Sequence, residues 1–239
     1  MVEFIPANDL KKHFDVFGHF YSIKVDSVGE IKCRSVLEIV NKENSIKDHS
    51  SLSSMFPDAV FIMMNPGSSK PLEEIKNIIS YENLGELKVS LVPTKPDTTQ
   101  YQLMRVMIYC KLNHVRVLNL SDMRDPKSGK FVERYKKIEN NTGFLEHSIF
   151  SDVRTNELQN KFKSNKSIPV VCAWGVSSDL DPLIERCINK ISNITETLGL
   201  LKKGTKNKYF HPLPTLQKEK VKWVNDMVEK LHHNKEGNR

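Results

Sequence analysis

Four points along the chain combine the end of a predicted strand with residues that could do chemistry. They are Asn65-Pro66-Gly67 after 59–64, Asn119 within 115–120, Trp174-Gly175 after 168–173, and His211-Pro212-Leu213-Pro214 after 208–210. An asparagine amide can orient a water or a ligand, although it does not titrate and cannot act as a base. A histidine ring can donate a hydrogen bond to an oxygen that gains negative charge. These four ends therefore indicate a site that binds a polar ligand.

The two asparagines each allow two interpretations. Asn65-Pro66-Gly67 has the residues of an ordinary turn, but the same residues could fix an amide above a sheet and let backbone approach a phosphate. Asn119 is a polar residue in an apolar strand, where a buried amide must find partners. It could close the turn through neighbouring backbone, or it could offer a donor and an acceptor to one edge of a planar base.

The other two strand ends differ in how strongly they indicate a functional site. A tryptophan at a strand end, such as Trp174, is usually part of the core, and Gly175 would permit a tight turn. His211 is more unusual, because the prolines at 212 and 214 stiffen its loop. A single histidine is more often structural than catalytic, but this one lies inside the most basic stretch of the chain.

The positive charge of the chain is concentrated around His211. The 239 residues carry 36 Lys+Arg and 29 Asp+Glu, a net charge of +7. Between Gly199 and Lys222 there are seven lysines and one acid, Glu219, which gives +6 for that stretch alone. Such a stretch is either a solvated loop followed by the polar face of a helix, or a surface that faces phosphates.

The pattern of elements predicts an α/β fold. We expect a three-layer αβα sandwich around a central, mainly parallel four-stranded sheet, with strands at 59–64, 115–120, 168–173 and 208–210. The domain would span 57–239, and 1–56 would form a β-rich extension with a hairpin at 17–40. We expect helices at 72–79, after Asp97 or Thr98, at 152–163, from Asp181-Pro182, and at 221–231. The remaining predicted loops are 41–56, 82–97 and the irregular 127–150.

Composition excludes several classes of protein. No apolar run approaches the roughly 18 residues that a membrane span needs, and the first residues show no secretion signal. The four cysteines are widely spaced without a C-x-x-C pair, so no zinc or redox motif is present and Cys172 is expected to be buried. We expect a monomer in the cytoplasm, with reduced thiols, no membrane partner, no cofactor and no metal.

Together and in this order, the four strand ends resemble the motifs of the uracil-DNA glycosylase superfamily. Asn65-Pro66-Gly67 is similar to its first motif, Val117-Leu118-Asn119 to the end of its second strand, and His211-Pro212-Leu213-Pro214 to its His-Pro-Ser-Pro loop. The similarity covers roughly 59–215 and extends to a divergent bacterial branch with Asn-Pro-Ser, Asn-Leu and Trp-Gly motifs. A ligand would bind beyond the carboxyl ends of the strands.

The resemblance implies a DNA glycosylase that flips a damaged base, uracil or a similar one, and hydrolyses its glycosidic bond. Asn65 would position water, His211 would stabilise the departing base, Asn119 would read its edge, and Tyr101 is a candidate for stacking. The residues that would contact DNA are Pro66, Gly67, Ser68, Pro212, Pro214, Lys202, Lys203, Lys206 and Lys208.

Two other functions remain open at this point. One is a non-catalytic nucleic-acid-binding module on the same fold. It is favoured by Met63, where the family usually has glycine, and by Leu213, where it has serine. The other is an enzyme that acts on free nucleotides or nucleosides, in which the lysines would hold a 5′-phosphate.

Overall fold

The fold is built on one mixed β-sheet with helices packed against it. The structure is a computed structural model that describes residues 2–25, 28–44, 49–80, 83–84, 87–164, 167–194 and 196–237. Within these residues, nine strands are present: β1 (Phe14–Val25), β2 (Gly29–Asn41), β3 (Ala59–Met63), β4 (Lys70–Pro71), β5 (Ile78–Ile79), β6 (Val92–Lys95), β7 (His114–Asn119), β8 (Val170–Cys172) and β9 (Thr197–Leu198). The sheet order is β4-β6-β1-β2-β7-β3-β8-β9, and β5 pairs with β1.

Helices follow or connect these strands. Their bounds are α1 (Ala7–His13), α2 (Thr98–Cys110), α3 (Ser128–Thr142), α4 (Thr155–Phe162), α5 (Asp181–Ile191) and α6 (Gln217–Gly237). Short 3-10 turns occupy 42–44, 49–54, 152–154 and 178–180. Among the helices in the described part of the chain, none combines the length and the apolar character that crossing a bilayer demands.

The sheet differs from the predicted four-stranded, mainly parallel one. The strands β7, β3, β8 and β9 are parallel to one another, whereas β2 pairs antiparallel with β7, with Leu37 opposite Val117. The hairpin β1–β2, which falls in the predicted extension 1–56, is thus hydrogen-bonded into the central sheet. The predicted strand at 208–210 is wrong: β9 at 197–198 lies beside β8, and Tyr209 forms only single bridges, to Gly175 and Leu201.

The hydrophobic core lies on both faces of the sheet. Every residue of β3 is buried, as the unbroken apolar run predicts. Val60 and Ile62 pack into a cluster that includes side chains from α3, α4 and α5. Phe61 and Met63 pack into a second cluster, with side chains from α1, α2 and α6. The alternation of side chains along β3 accounts for this division, since successive residues point to opposite faces.

Two predictions about the connections are wrong. The segment 72–79 is not a helix; it follows β4 and ends in β5, and Leu72 and Ile78 are 64% and 57% exposed. Its backbone is bonded to neighbouring strands, since the Leu72 N–H donates to the Pro93 carbonyl and the Asn77 carbonyl accepts from the Ser22 N–H. The segment 127–150 contains α3, whose buried face consists of Phe131, Tyr135 and Ile138. Three apolar residues among lysines and asparagines gave a weak helical pattern, which tertiary packing completes.

Two further segments differ in part from the prediction. The predicted loop 82–97 contains β6, in which Pro93 lies opposite Phe17 near the edge of the sheet. The helix at Asp181-Pro182 forms, but Leu180 precedes its first residue and the Asp181 carboxylate pairs with Lys208 instead of capping the helix. Asp26 and Ser27 of the predicted hairpin turn, and 45–48 of the predicted loop 41–56, lie outside the described residues.

The remaining elements agree with the sequence. The hairpin extends over β1 and β2, the second predicted strand is β7, and the third is β8. The helices predicted at 152–163 and at 221–231 are α4, after a 3-10 turn, and the longer α6. All four cysteines are free and buried, and Cys172 is fully buried as predicted.

Candidate functional site

A cavity of about 430 Å³ lies at the carboxyl ends of β3 and β7. Its size is within the range of roughly 300–1,000 Å³ that small-molecule sites occupy. Asn65, Asn119 and His211 all line it, together with Trp174 and Gly175. Side chains from four separate parts of the chain therefore meet where the parallel strands end, which is where ligands bind in sheets of this kind.

The loop after β3 holds Asn65 in one orientation. Its Nδ2 donates to the carbonyl oxygens of Met123 and Asp125, at 3.4 and 2.8 Å. With the nitrogen held there, the Oδ1 atom is left as an acceptor at the cavity wall. The loop itself depends on Gly67, which has a φ of +61° and whose Cβ, if present, would lie 3.0 Å from Asp97 Oδ2.

Asn119 is enclosed by the protein. The side chain is 0% exposed, and its amide lies between the Asn65 carbonyl and the Arg34 guanidinium. With the amide assigned from these neighbours, Nδ2 donates to the Asn65 carbonyl and Oδ1 accepts from Arg34 Nη2, each at 3.1 Å. Each end of this amide has a protein partner, so the geometry favours a positioning role over direct reading of a base.

Arg34 is a lining residue that the sequence reasoning missed. It lies on β2, is 1% exposed, and lines the cavity. Burial lowers the pKa of its guanidinium to about 10, against the opposing effect of Asp97, so it stays protonated at neutral pH. The signal available in the sequence was a charged residue between Cys33 and Val36, where the apolar alternation of the hairpin changes register.

His211 is held in a defined tautomer. Its Nδ1 accepts from the Leu213 backbone N–H at 3.2 Å, which leaves the proton of the neutral ring on Nε2. Burial lowers the pKa of His211 from 6.5 to about 4, so the ring is neutral at physiological pH. The loop is anchored on both sides, because Gln102 Nε2 donates to the Pro212 carbonyl and Trp223 Nε1 to the Phe210 carbonyl.

Two carboxylates also line the cavity, and neither was predicted as a site residue. Of the two predicted caps of α2, Asp97 and Thr98, it is Asp97 that caps the helix: its Oδ1 accepts from the backbone N–H groups of Thr99 and Gln100. Asp125 accepts through Oδ1 from the Lys127 backbone N–H. Because both residues have clear structural roles in the sequence pattern, nothing in that pattern singled them out as ligand-binding groups.

The other predicted site residues are divided between the cavity and its surroundings. Pro66, Gly67 and Ser68 line the cavity, whereas Pro212 and Pro214 do not. Tyr101 lies outside the lining as well, where it packs on the cluster of α1, α2 and α6, with Lys11 Nζ 5.8 Å from its ring centroid. A role for Tyr101 in stacking a base inside this cavity does not fit its position.

None of the four lysines predicted to contact DNA lines the cavity, and one of them, Lys208, contacts a residue that does. Lys202, Lys203 and Lys206 are exposed. Lys208 Nζ pairs with the Asp181 carboxylate and donates at 3.1 Å to the carbonyl of Ser177, a lining residue. Lys208 therefore links the lysine-rich turn to a residue of the cavity wall.

Trp174 and Gly175 have the structural roles that the sequence favoured. Trp174 is fully buried, and its Nε1 donates to the Asn207 carbonyl at 2.9 Å. Its ring meets Tyr209 edge-on, with centroids 5.5 Å apart. Gly175 has a φ of +105°, which a residue with a side chain rarely adopts. Both residues shape the cavity wall.

Comparison of the chain with protein-family models, with curated proteins and with solved structures finds no match. The resemblance of the four strand ends to the uracil-DNA glycosylase superfamily therefore remains a hypothesis, and the case for function depends on the geometry of the cavity.

Proposed function

We propose that the protein is a glycosylase that takes a damaged base, uracil or a similar one, from DNA into the strand-end cavity and hydrolyses its glycosidic bond. The observation that carries the proposal is the meeting of Asn65 and His211 in one cavity, from distant parts of the chain. The proposed fold is a layered one, with β7, β3, β8 and β9 between helices on either face, which agrees with the two core clusters.

The proposed chemistry assigns a task to each group. When the bond between C1′ and the base nitrogen breaks, its electron pair leaves with the base, and Nε2–H of His211 donates to the base oxygen that gains charge. A water that hydrogen-bonds to Asn65 Oδ1 adds to C1′ and releases its proton to solvent. The carboxylates of Asp97 and Asp125 place negative charge near the positive charge that develops on the sugar.

The proposed DNA surface is the turn that carries Lys202, Lys203 and Lys206. Three exposed lysines, on the turn that Lys208 links to the cavity wall, would neutralise phosphates on either side of a base that enters the cavity. For duplex DNA, three such contacts would contribute about −2.7 to the slope of log K against log salt concentration. Replacing all three with glutamine should reduce the slope by about that amount and leave the folded state intact, because these side chains are exposed.

The enzymatic proposal is tested by measuring base release from oligonucleotides. Substrates with uracil, with thymine opposite guanine and with hypoxanthine are incubated with wild type, Asn65→Ala and His211→Ala at low salt. We expect each variant to lose at least about 100-fold in rate while it keeps DNA binding. Asn8→Ala and His13→Ala are matched controls, since both residues are exposed on α1. A folded wild type that binds DNA but releases none of these bases contradicts the proposal.

A second candidate is an enzyme that acts on free nucleosides or nucleotides. The observation that favours it is the enclosed site at the strand ends, whereas Lys202, Lys203, Lys206 and Lys208 lie outside its lining and would not hold a 5′-phosphate there. In that case a cavity of about 430 Å³ would enclose the whole substrate. Release of base from 2′-deoxyuridine or its 5′-monophosphate, without release from DNA, would favour this candidate.

A further inference from the structure

A second cavity, of about 420 Å³, lies against α4. Its walls come from the 3-10 turn at 49–54, from the segment that precedes β6, and from one face of α4. Leu87 and Val89 form an apolar side, and Glu157 and Lys161 lie four residues apart on the helix. Among the described residues, none lines both this cavity and the one at the strand ends. Its volume suits a small molecule.

The amine of Lys161 is buried without a dedicated partner. The residue is 4% exposed, and lysines are almost never buried to this extent unless they are paired. Its Nζ makes no hydrogen bond or close ion pair with any residue that the structure describes. The nitrogen can still be reached from outside, because it is not one of the unpaired polar atoms that the fold seals from solvent. Since Lys161 lines the cavity, the cavity is the route to this amine.

The charges around Lys161 nearly cancel. The titratable groups that face it from neighbouring elements are Glu38, Arg116, Arg154, Glu157 and His19. Each carboxylate already has an arginine as its partner: Glu38 is paired with Arg116 at 2.7 Å, and Glu157 is paired with Arg154 at 2.8 Å. Burial therefore dominates and lowers the pKa of the Lys161 amine, against the opposing effect of the two carboxylates. At pH 7 more of this amine is neutral than of an exposed lysine.

We propose that Lys161 is a reactive amine that condenses with a small neutral aldehyde bound in this cavity. The Nζ lone pair adds to the carbonyl carbon, and one proton of the amine passes to the carbonyl oxygen. The carbinolamine then loses its hydroxyl group together with the second proton, as one water, and a carbon–nitrogen double bond remains. Buried lysines are suited to this chemistry, because a desolvated amine keeps its lone pair available. The inference does not rest on the proposed function, since it concerns another cavity.

The lining of the cavity favours a neutral ligand with an apolar part. Leu87 and Val89 would pack against hydrocarbon. The carboxylate of Glu157 lines the same cavity and disfavours a ligand that carries a carboxylate or a phosphate. Asn156 and Asn160, also in the lining, have amide N–H groups that can donate to the aldehyde oxygen. A short aliphatic aldehyde such as butanal has both properties.

The inference is tested on the full chain by reaction with butanal and cyanoborohydride at pH 7, which reduces the imine to a stable secondary amine. Fragment spectra of the labelled peptides compare Lys161 with Lys163, an exposed lysine just after α4. We expect Lys161 to be labelled at least about tenfold faster in the folded protein, and within about twofold of Lys163 in concentrated urea. Labelling of folded Lys161 that is no faster than that of Lys163, or a preference that persists in urea, overturns the assignment.

The class of ligand is tested with glyoxylate, an aldehyde that carries a carboxylate. We expect the preference for Lys161 over Lys163 to disappear with this reagent, because Glu157 lines the cavity. A preference as large as that with butanal would mean that the cavity accepts anions, and it overturns the assignment to a neutral ligand.

A pair of variants tests whether the amine is reached through the cavity. Asn160 lines the cavity and Gln159 does not, although both are exposed on α4. Asn160→Trp should therefore obstruct the cavity and abolish the preference of butanal for Lys161, whereas Gln159→Trp should keep it. Both substitutions leave Lys161 in place on the exposed side of a helix, and thermal unfolding checks that the fold is retained. The same labelling in the two variants, whether kept or lost, overturns the role of the cavity.

Discussion

The protonation state of His211 gives the sharpest test of the site. Burial lowers the pKa of His211 to about 4, so about 1% of the rings should be protonated at pH 6. An ordinary imidazole with a pKa of 6.5 would be about three-quarters protonated at that pH. The proposed role, donation from a neutral Nε2–H, requires a ring that stays mostly neutral over the whole range from pH 8 to pH 5.

The same shift links His211 to folding. Between pH 6.5 and about 4 the unfolded chain binds a proton at this residue while the folded chain does not, so stability rises with pH across that window. At pH 5, which is about 1.5 units below the pKa of a histidine in the unfolded chain, the unfolding free energy should be about 2 kcal/mol lower than at pH 7. His19, whose pKa burial also lowers to about 4, adds a parallel loss.

Two measurements check this reasoning. Titration of ¹⁵N-labelled histidine should show His211 with its proton on Nε2 and no protonation step near pH 6.5. Urea unfolding at pH 7 and pH 5 should show a smaller loss of stability in His211→Gln than in wild type, by about 2 kcal/mol. His19 is present in both proteins, so its contribution cancels. A titration midpoint near 6.5, or equal pH dependence in both proteins, refutes the argument for a neutral donor.

Three further predictions concern the elements that support the cavity. Arg154→Met removes the buried partner of Asp122, whose Oδ2 lies 2.7 Å from Arg154 Nη1, and should lower the unfolding free energy by about 3–5 kcal/mol in urea titrations. Gly199→Ala should cost about 1–3 kcal/mol by the same measurement, because φ is +151° and a Cβ would lie 2.5 Å from the Cys172 carbonyl oxygen. Asp97→Ala removes the capping box of α2 and should cost about 1 kcal/mol, seen as a lower midpoint of thermal unfolding.

Each of these has an outcome that would contradict it. An Arg154→Met protein with wild-type stability would mean that Asp122 is neutral or solvated in the folded state. Unchanged stability of Gly199→Ala would mean that the contact with the strand β8 relaxes at little cost. For Asp97, a loss of ligand binding without loss of helix stability would mean that its carboxylate acts mainly in the cavity. Glu133→Ala, an exposed residue of α3, is a suitable reference for the thermal measurement.

Much of the parallel centre of the fold could be predicted from the sequence. The unbroken apolar run at 59–64 marks β3, because a strand covered on both faces needs no polar side chains, and the mostly apolar run at 115–120 marks β7. The asparagine at the end of each run then lies at the same edge of the sheet. Local chemistry was also sufficient for α2, where an aspartate followed three residues later by a glutamine forms a capping box.

Short edge strands and sparsely apolar helices could not be predicted in this way. The strands β4 and β5 contain two residues each, and their pairing depends on which strand lies beside them. The helix α3 is stabilised by a small buried face that is complete only when the sheet is present. The segment 208–210 has the pattern of a strand, but it is β9, at 197–198, that pairs with β8.

The sequence alone determined that Asn65, Asn119 and His211 stand at the ends of strand-like runs, because hydrophobic patterning is a local property of the chain. Tertiary structure decided how these side chains are used. It buried Asn119 against Arg34, set the tautomer of His211, and brought the N-terminal hairpin and the carboxylates of Asp97 and Asp125 to the same cavity. Burial and hydrogen bonding between residues distant in the chain control these features, and no local pattern encodes them.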